Sequence, residues 1–385
     1  MNSIVMERPV SVIIDKEKKS CWNNNMLLIK RSLDEMKPIA YQFDLNEENK
    51  IWFKHTGESG FKTTYCFTNR TKTINAPLFK SNKENGDLKL KFGEQSLIHY
   101  RYAMKSAPDG INQLYQKSGY IHPIITIKGD TLTQIQPTDH YHHYGVWGPW
   151  TRTRIDDIVV DFWNLKDGLG TVLFKNFNNI ASGLVYAGFN AHQEHLNLKQ
   201  KNGPELALIE NLTVKVWKNN NPNQYFIDYT SNFSSPLKNG ILFEAYRYGG
   251  GLGFRFKEQW NKDNCELITS DGKNRAEADG TSARWCIVYG DSSHGEGSSG
   301  VLFMSHPNNQ SHPEPMRVWP LSANRGRGDM FFQFCPIRHK EWKIKPKRTY
   351  ELNYRLLVFD GEITPEEAEK HWRAFAFQPK IKISK

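Results

Sequence analysis

The sequence predicts an all-β protein: a small N-terminal β-sandwich over residues 1–94, then a large antiparallel β-sandwich over residues 95–385 with one C-terminal helix. Three observations lead there. Short segments of alternating or clustered apolar and β-branched residues recur along the chain, turn-forming residues separate them, and a helical pattern is clear only near the end. Many strands at short spacing fit stacked sheets better than alternating βα units.

Taken in order, SVIID (11–15), KIWFKH (50–55) and TTYCFT (63–68) read as strands of the first unit. The loop-rich SNKENGDLKLKFGEQ (81–95) is the expected boundary, although LKLKF within it also has strand character. SLIHYRYAM (96–104) opens the larger unit, and LTVKVW, YFIDYTSNF, GILFEAYRY, GFRFKEQW, RWCIVYG, GVLFMS, MFFQFCP and YELNYRLLVFD continue it. The glycines of RYGGGLGFRF lie between strands with no helix following, so they predict a hairpin or bulge, not a dinucleotide loop. TPEEAEKHWRAFAF predicts a helix: Thr364 caps it, Pro365 takes the first position and Glu367 closes a capping box. Ala368, Trp372 and Phe375 then share the face that docks on a sheet.

Composition narrows the function. Aromatic residues make up 13% of the 385 positions, which suits a soluble protein that lines a groove with rings. The net charge of +10 comes from 51 Lys and Arg against 41 Asp and Glu, spread along the chain and intermixed. With no RNA-recognition motif, zinc finger or heptad-linked basic region, nucleic-acid binding is not expected, whereas an anionic substrate is compatible. No apolar run approaches the roughly 20 residues of a membrane span. The first residues lack a signal-peptide pattern, so the expectation is a cytoplasmic protein, or a periplasmic or secreted one if a leader has been removed. Cys21, Cys66, Cys265, Cys286 and Cys335 are too few and scattered for a disulfide framework or a cysteine zinc site, and read as free thiols.

Four stretches could carry chemistry. PTDHYHHYGVWGPW holds His140, His142 and His143 beside Asp139, with Trp147 and Trp150 following. If extended, it places His140 and His142 on one face and His143 on the other. An H-x-H pair can bind a divalent metal or supply a base and its orienting partner, so His140 and His142 are candidates for either. SHPNNQSHPEPMRVWP (305–320) presents His306, His312 and Glu314 from a proline-stiffened segment. On FEAYRYGG, Glu244, Tyr246 and Tyr248 share one face and Arg247 takes the other. In SDGKNRAEADGTSARWC, with Arg275, Glu277, Asp279 and Arg284, the last is expected to be inward and paired. VDFWN (160–164) and RGRGD (325–329) are weaker contributors to a groove. No Walker loop, GxSxG elbow or HExxH helix is present, and spacing alone picks out no glycosidase carboxylate pair.

SGYIHPI (118–124), TDHYHHYGVW (138–147), DFWN (161–164), RYGGGLGFRF (247–256), EADGTSARWC (277–286), FMSHPNNQSHPEPMRVWP (303–320) and the ending from YRLLVFDGEITPEE onward occur in order. From about residue 95 onward they resemble the bacterial PmoA-like family. Tyr141 and Tyr144 depart from that family's pattern, which often has Pro and Arg around the paired histidines. The resemblance implies a part in polysaccharide utilisation and, within it, a dehydratase acting on the terminal uronic acid of an ulvan-like anionic oligosaccharide. On that reading His143 or His140 is general base or acid, with His142 in the same cluster, and Tyr246 is a second proton-transfer group. Arg247 or Arg284 binds the carboxylate, and Trp147 and Trp150 offer stacking faces. His306, His312 and Glu314 complete the site or hold a metal. A glycoside hydrolase and a non-catalytic sugar-binding module are the alternatives.

Overall fold

A computed structural model of the chain describes residues 7–14, 27–31, 36–56, 63–68, 78–295, 297–379 and 381. Two large antiparallel sheets form its body. The nine-stranded sheet runs Ser282–Ala283, Glu314–Val318, Phe331–Phe334, Leu252–Arg255, Val146–Trp147, Tyr120–Ile124, Gln95–Arg101, Asp87–Phe92 and Phe79–Glu84. The eight-stranded sheet runs Gly170–Ala181, Ala187–Asn197, Glu205–Trp217, Gln224–Ser234, Tyr350–Asp360, Ser298–Ser305, Trp285–Asp291 and Cys265–Thr269.

Side-chain alternation explains why the sheets stack. Ile98, Val146, Phe254 and Phe332 of the first sheet meet Phe189, Val214, Ile227 and Leu356 of the second in one continuous core. On the eight-stranded sheet the alternate residues Leu302, Leu357 and Phe359 face outward, where Ala368, Trp372 and Phe375 of the helix Pro365–Ala376 cover them. That helix starts as its sequence predicts: the Thr364 side chain accepts from the Glu367 N–H, and the Glu367 carboxylate accepts from the Thr364 N–H.

The N-terminal unit pairs two three-stranded sheets over their own core of Val10, Leu28, Ile51 and Phe53. It leans on the body through Trp52 against Trp217 and Asp44 against Lys215. The expected boundary near residues 81–95 needs correction. NKENGD is the turn of a hairpin whose strands, Phe79–Glu84 and Asp87–Phe92, are hydrogen-bonded to each other and onward to Gln95–Arg101 in the large sheet. Asn85 and Gly86 both take positive φ there, so the turn signal was local rather than a linker. Among the described residues, Cys66, Cys265, Cys286 and Cys335 are free thiols; Cys21 lies outside them.

Candidate functional site

The outer face of the nine-stranded sheet, opposite the shared core, carries the site. Alternation turns Trp147, Arg255, Arg317 and Phe331 to this face while Val146, Phe254, Val318 and Phe332 point into the core. Aligned pairs Arg317↔Gln333, Gln333↔Gly253 and Gly253↔Trp147 set one row, and Arg255↔Phe331 lies in the next. On this floor His140, His142, His143, Trp163, Asn164, Tyr246, Tyr248 and Trp319 line a pocket of about 150 Å³. That is below the roughly 300–1,000 Å³ of clefts for drug-sized ligands.

The histidine stretch is not extended. The His140 N–H donates to the Pro137 carbonyl at 2.9 Å, the His143 N–H to the His140 carbonyl at 3.0 Å and the Gln136 N–H to the His143 carbonyl at 2.8 Å. These local bonds fold the segment into consecutive turns. All three imidazoles therefore gather on one side, with ring centroids 4.7–5.4 Å apart, in place of the alternation expected of a strand. Gly145 closes the loop at φ +60°, where a Cβ would lie 2.2 Å from the Ile121 carbonyl oxygen. Tyr141 packs on Tyr115, and the buried Tyr144 donates its hydroxyl to the Tyr115 carbonyl.

His140 is oriented from behind. Its Nδ1 lies 2.7 Å from Asp139 Oδ2, and Asp139 also accepts from Arg255 at 3.0 Å. Arg255 is buried, sits over the Trp319 ring and reaches Asp329 at 3.1 Å. Burial opposes ionisation of Asp139, but the bond from His140 and the charge of Arg255 outweigh it and hold the carboxyl below its usual range. The Asp139 carboxylate thus anchors the Nδ1 side of the His140 ring, and Nε2 is the ring nitrogen on the side away from it.

His142 and His143 differ from it. Burial and neighbouring positive charge push His142 down to about 3, and burial lowers His143 well below the ordinary imidazole value. Both rings are neutral near pH 7. His143 lies between Phe331 and Trp163, with centroids 5.2 and 5.5 Å away, and its buried Nδ1 has no hydrogen-bond partner. Among the described residues no three His, Cys, Asp or Glu side chains are grouped so as to hold a metal ion.

Tyr248 lines the same pocket as the histidines. Its oxygen accepts from Arg317 Nη2 at 2.9 Å and Trp319 Nε1 at 3.2 Å. Tyr246 lies 6.1 Å from it, under the guanidinium of Arg152. Arg247 is exposed, 5.4 Å from the Tyr248 ring. Trp163 and Asn164 are held by Asp161, which accepts from both backbone N–H groups at 2.8 Å.

The structure thus brings His140, His142, His143 and Tyr246 together, with Trp147 buried beneath them against His143, while Arg247 is not among the pocket residues and lies over the Tyr248 ring. It separates the rest. Trp150 is buried in the core, stacked 4.1 Å from Phe243, because Gly250 at φ +70° lets the glycine turn lie directly on its ring. Glu314 shares the inward face of its strand with Met316 and Val318, so it points into the sandwich, not the pocket. There Ser305, Asn309 at 2.9 Å and Tyr354 at 2.8 Å donate to it, and burial raises its carboxyl to about 7. His312 lies parallel to Trp372, His306 packs on Phe375, and Arg284 pairs with Glu369 at 3.2 Å. His306, His312 and Arg284 therefore fasten the C-terminal helix and belong to the opposite side of the molecule.

Sequence reasoning gave too little weight to four contributors. Trp163 and Asn164 line the pocket, Asp329 backs Arg255, and Asp279 holds Arg317 at 2.7 Å. Of the arginines in 275–284 the inward one is Arg275, which donates to the backbone carbonyls of Trp319, Gly328 and Asp329. DFWN, EADG and RGRGD carried these residues, but only their convergence on one face identifies them.

Solved structures similar to the chain include a polysaccharide lyase and a glycosidase. The heparan sulfate lyase HepC of Pedobacter heparinus is 10% identical with TM-score 0.37, over 77% of this chain and 38% of the other. An alpha-mannosidase from Enterococcus faecalis is 10% identical with TM-score 0.43, over 96% of this chain and 43% of the other. The chain spans less than half the length of each. No curated protein matches it. A family model covering residues 87–373 does match, and the chain belongs to that family, the family of unknown function DUF6807.

Proposed function

We propose that the protein is a carbohydrate-active lyase that removes water from the terminal uronic acid of an anionic oligosaccharide, leaving an unsaturated uronate. One observation carries this reading: a small ring-lined pocket is shared by His140, backed by Asp139, and by Tyr246 and Tyr248, with no carboxylate among its described lining residues. Elimination needs a base for the C5 proton, an acid for the departing 4-hydroxyl, and positive charge near the uronate carboxylate while charge builds on C5. His140 Nε2 is the base. Tyrosine supplies the acid, and neutral His142 and His143 hydrogen-bond the sugar. Arg247, exposed beside the Tyr248 ring, takes the carboxylate, and Lys166, whose charge reaches His142, adds to the cationic field. Trp163 and Trp319 give the ring its apolar faces.

The resemblance to the PmoA-like family and the basic balance of the chain support the same substrate class. A retaining or inverting hydrolase would need two carboxylates across the cleft, at roughly 5–10 Å. Glu244, the nearest candidate in sequence, is held by Arg152 and Arg154 and is not among the pocket residues.

The test is incubation with oligosaccharides that end in a saturated uronate, followed by ultraviolet absorbance and mass. New absorbance together with loss of one water supports the dehydratase. Shortened sugars without it would replace this reading with hydrolysis, and binding without turnover would leave a sugar-binding module.

A further inference from the structure

We propose that Tyr248, and not its neighbour Tyr246, delivers the proton to the departing hydroxyl, with Arg317 and Asp279 as its positioning pair; this rests on the dehydratase reading above. A phenol oxygen has two lone pairs and one proton. In Tyr248 the lone pairs already receive Arg317 Nη2 and Trp319 Nε1, so the proton is left for a third partner in the pocket that the residue lines. The ring is fixed by an edge contact with Trp163 at 5.3 Å.

Its donors are fixed in turn. Arg317 Nη1 donates to Asp279 Oδ2 at 2.7 Å and to the Val318 carbonyl at 3.1 Å. Asp279 Oδ1 accepts from the Val318 N–H at 3.1 Å and from Arg338 at 3.0 Å. Arg275 holds the backbone of Trp319 through its carbonyl at 3.4 Å. A charged and a neutral N–H are therefore aimed at the phenol oxygen before any charge appears on it, which is how a developing phenolate is stabilised without reorganisation. Among the described residues Tyr246 has no such frame: the structure gives it a cation over its ring face, and that cation is engaged by Glu244 at 3.1 Å.

In the step itself the C5–H bond breaks and its proton passes to His140 Nε2. The electron pair of that bond forms the C4–C5 double bond. The C4–O bond breaks with its pair on oxygen, which takes the Tyr248 proton and leaves as water. Return of one proton from His140 to the phenolate through solvent restores the enzyme, and no further reactant is required.

The experiment compares purified wild type, Tyr248→Phe, Tyr246→Phe, Arg317→Met and Arg317→Lys on the same uronide, with thermal unfolding of each. Tyr248→Phe should lower kcat by about 10²–10⁴-fold with KM little changed, the range for a lost general acid. Tyr246→Phe should act mainly on KM. Arg317→Met should lower kcat, and Arg317→Lys should recover part of it. Retention of kcat within about threefold in Tyr248→Phe, or the larger kcat loss in Tyr246→Phe, overturns the assignment while the dehydratase stands. If Tyr248→Phe does not fold, equal kcat in Arg317→Met and wild type overturns it instead. Wild type inert on every uronide overturns the dehydratase reading and this inference together.

Discussion

Two regions of this molecule use the same residue types for different ends. The loop at 139–147 and the segment at 305–320 are each rich in histidine and tryptophan or proline, and each sets histidines against tryptophan. In the first, turns gather three imidazoles around a pocket, and one of them is backed by a carboxylate with its second nitrogen left to act. In the second, the side chains are spent on one another: His312 on Ser305 at 3.2 Å and Trp372, Ser305 and Asn309 on Glu314, His306 on Phe375. Residue type marks where chemistry can occur, but the unspent hydrogen-bonding capacity of a side chain facing open space decides where it does.

The contrast yields predictions of decreasing size. Trp372→Ala should cost the most stability, about 3–5 kcal/mol by denaturant unfolding, because a buried indole and its bond to the Ser305 carbonyl at 3.0 Å are lost together. Next is Glu314. Burial raises its carboxyl from 4.5 to about 7, so the native state holds the proton more tightly than the unfolded chain. That stabilisation is complete below about pH 4.5 and is lost as pH rises through about 7. Unfolding of wild type and Glu314→Gln at about pH 5 and about pH 8 should show an extra loss of about 2–3 kcal/mol in wild type alone. A flat wild-type profile would place Glu314 in an ionised, compensated environment.

On the partly exposed sheet margin, Glu244→Gln should cost no more than about 1 kcal/mol despite two arginine partners. The smallest change is expected in the pocket itself. With His142 held at about 3, its ring resonances should not move between about pH 8 and about pH 5. Its contribution runs opposite to that of Glu314: it is present above about 6.5, the unfolded value, and lost as pH falls toward 3. A mid-range titration of His142 would contradict the burial seen here.

The legible part of this fold is the local part. Strands, the capped helix and its buried face follow from period and caps, as Thr364, Glu367 and Trp372 show. The boundary misled because Asn85 and Gly86 signal a turn equally well within a sheet or between units. Among the pocket residues, His140, His142 and His143 stood out in the sequence by crowding and Tyr246 by the shared face of its stretch. Arg317, Asp279 and Asp329 were not, because their roles depend on register: one residue along, Val318 faces the core. Glu314 shows the converse, a charged residue in a suggestive motif that alternation turns inward.

The measurement that tests the central claim most directly is turnover of one uronate-terminated oligosaccharide by His140→Ala and His312→Ala beside wild type, read by ultraviolet absorbance and mass. The expected result is a loss of about 10²–10⁴-fold in kcat for His140→Ala, against turnover within about threefold of wild type for folded His312→Ala. The reverse pattern would move the chemistry beneath the C-terminal helix and contradict the account.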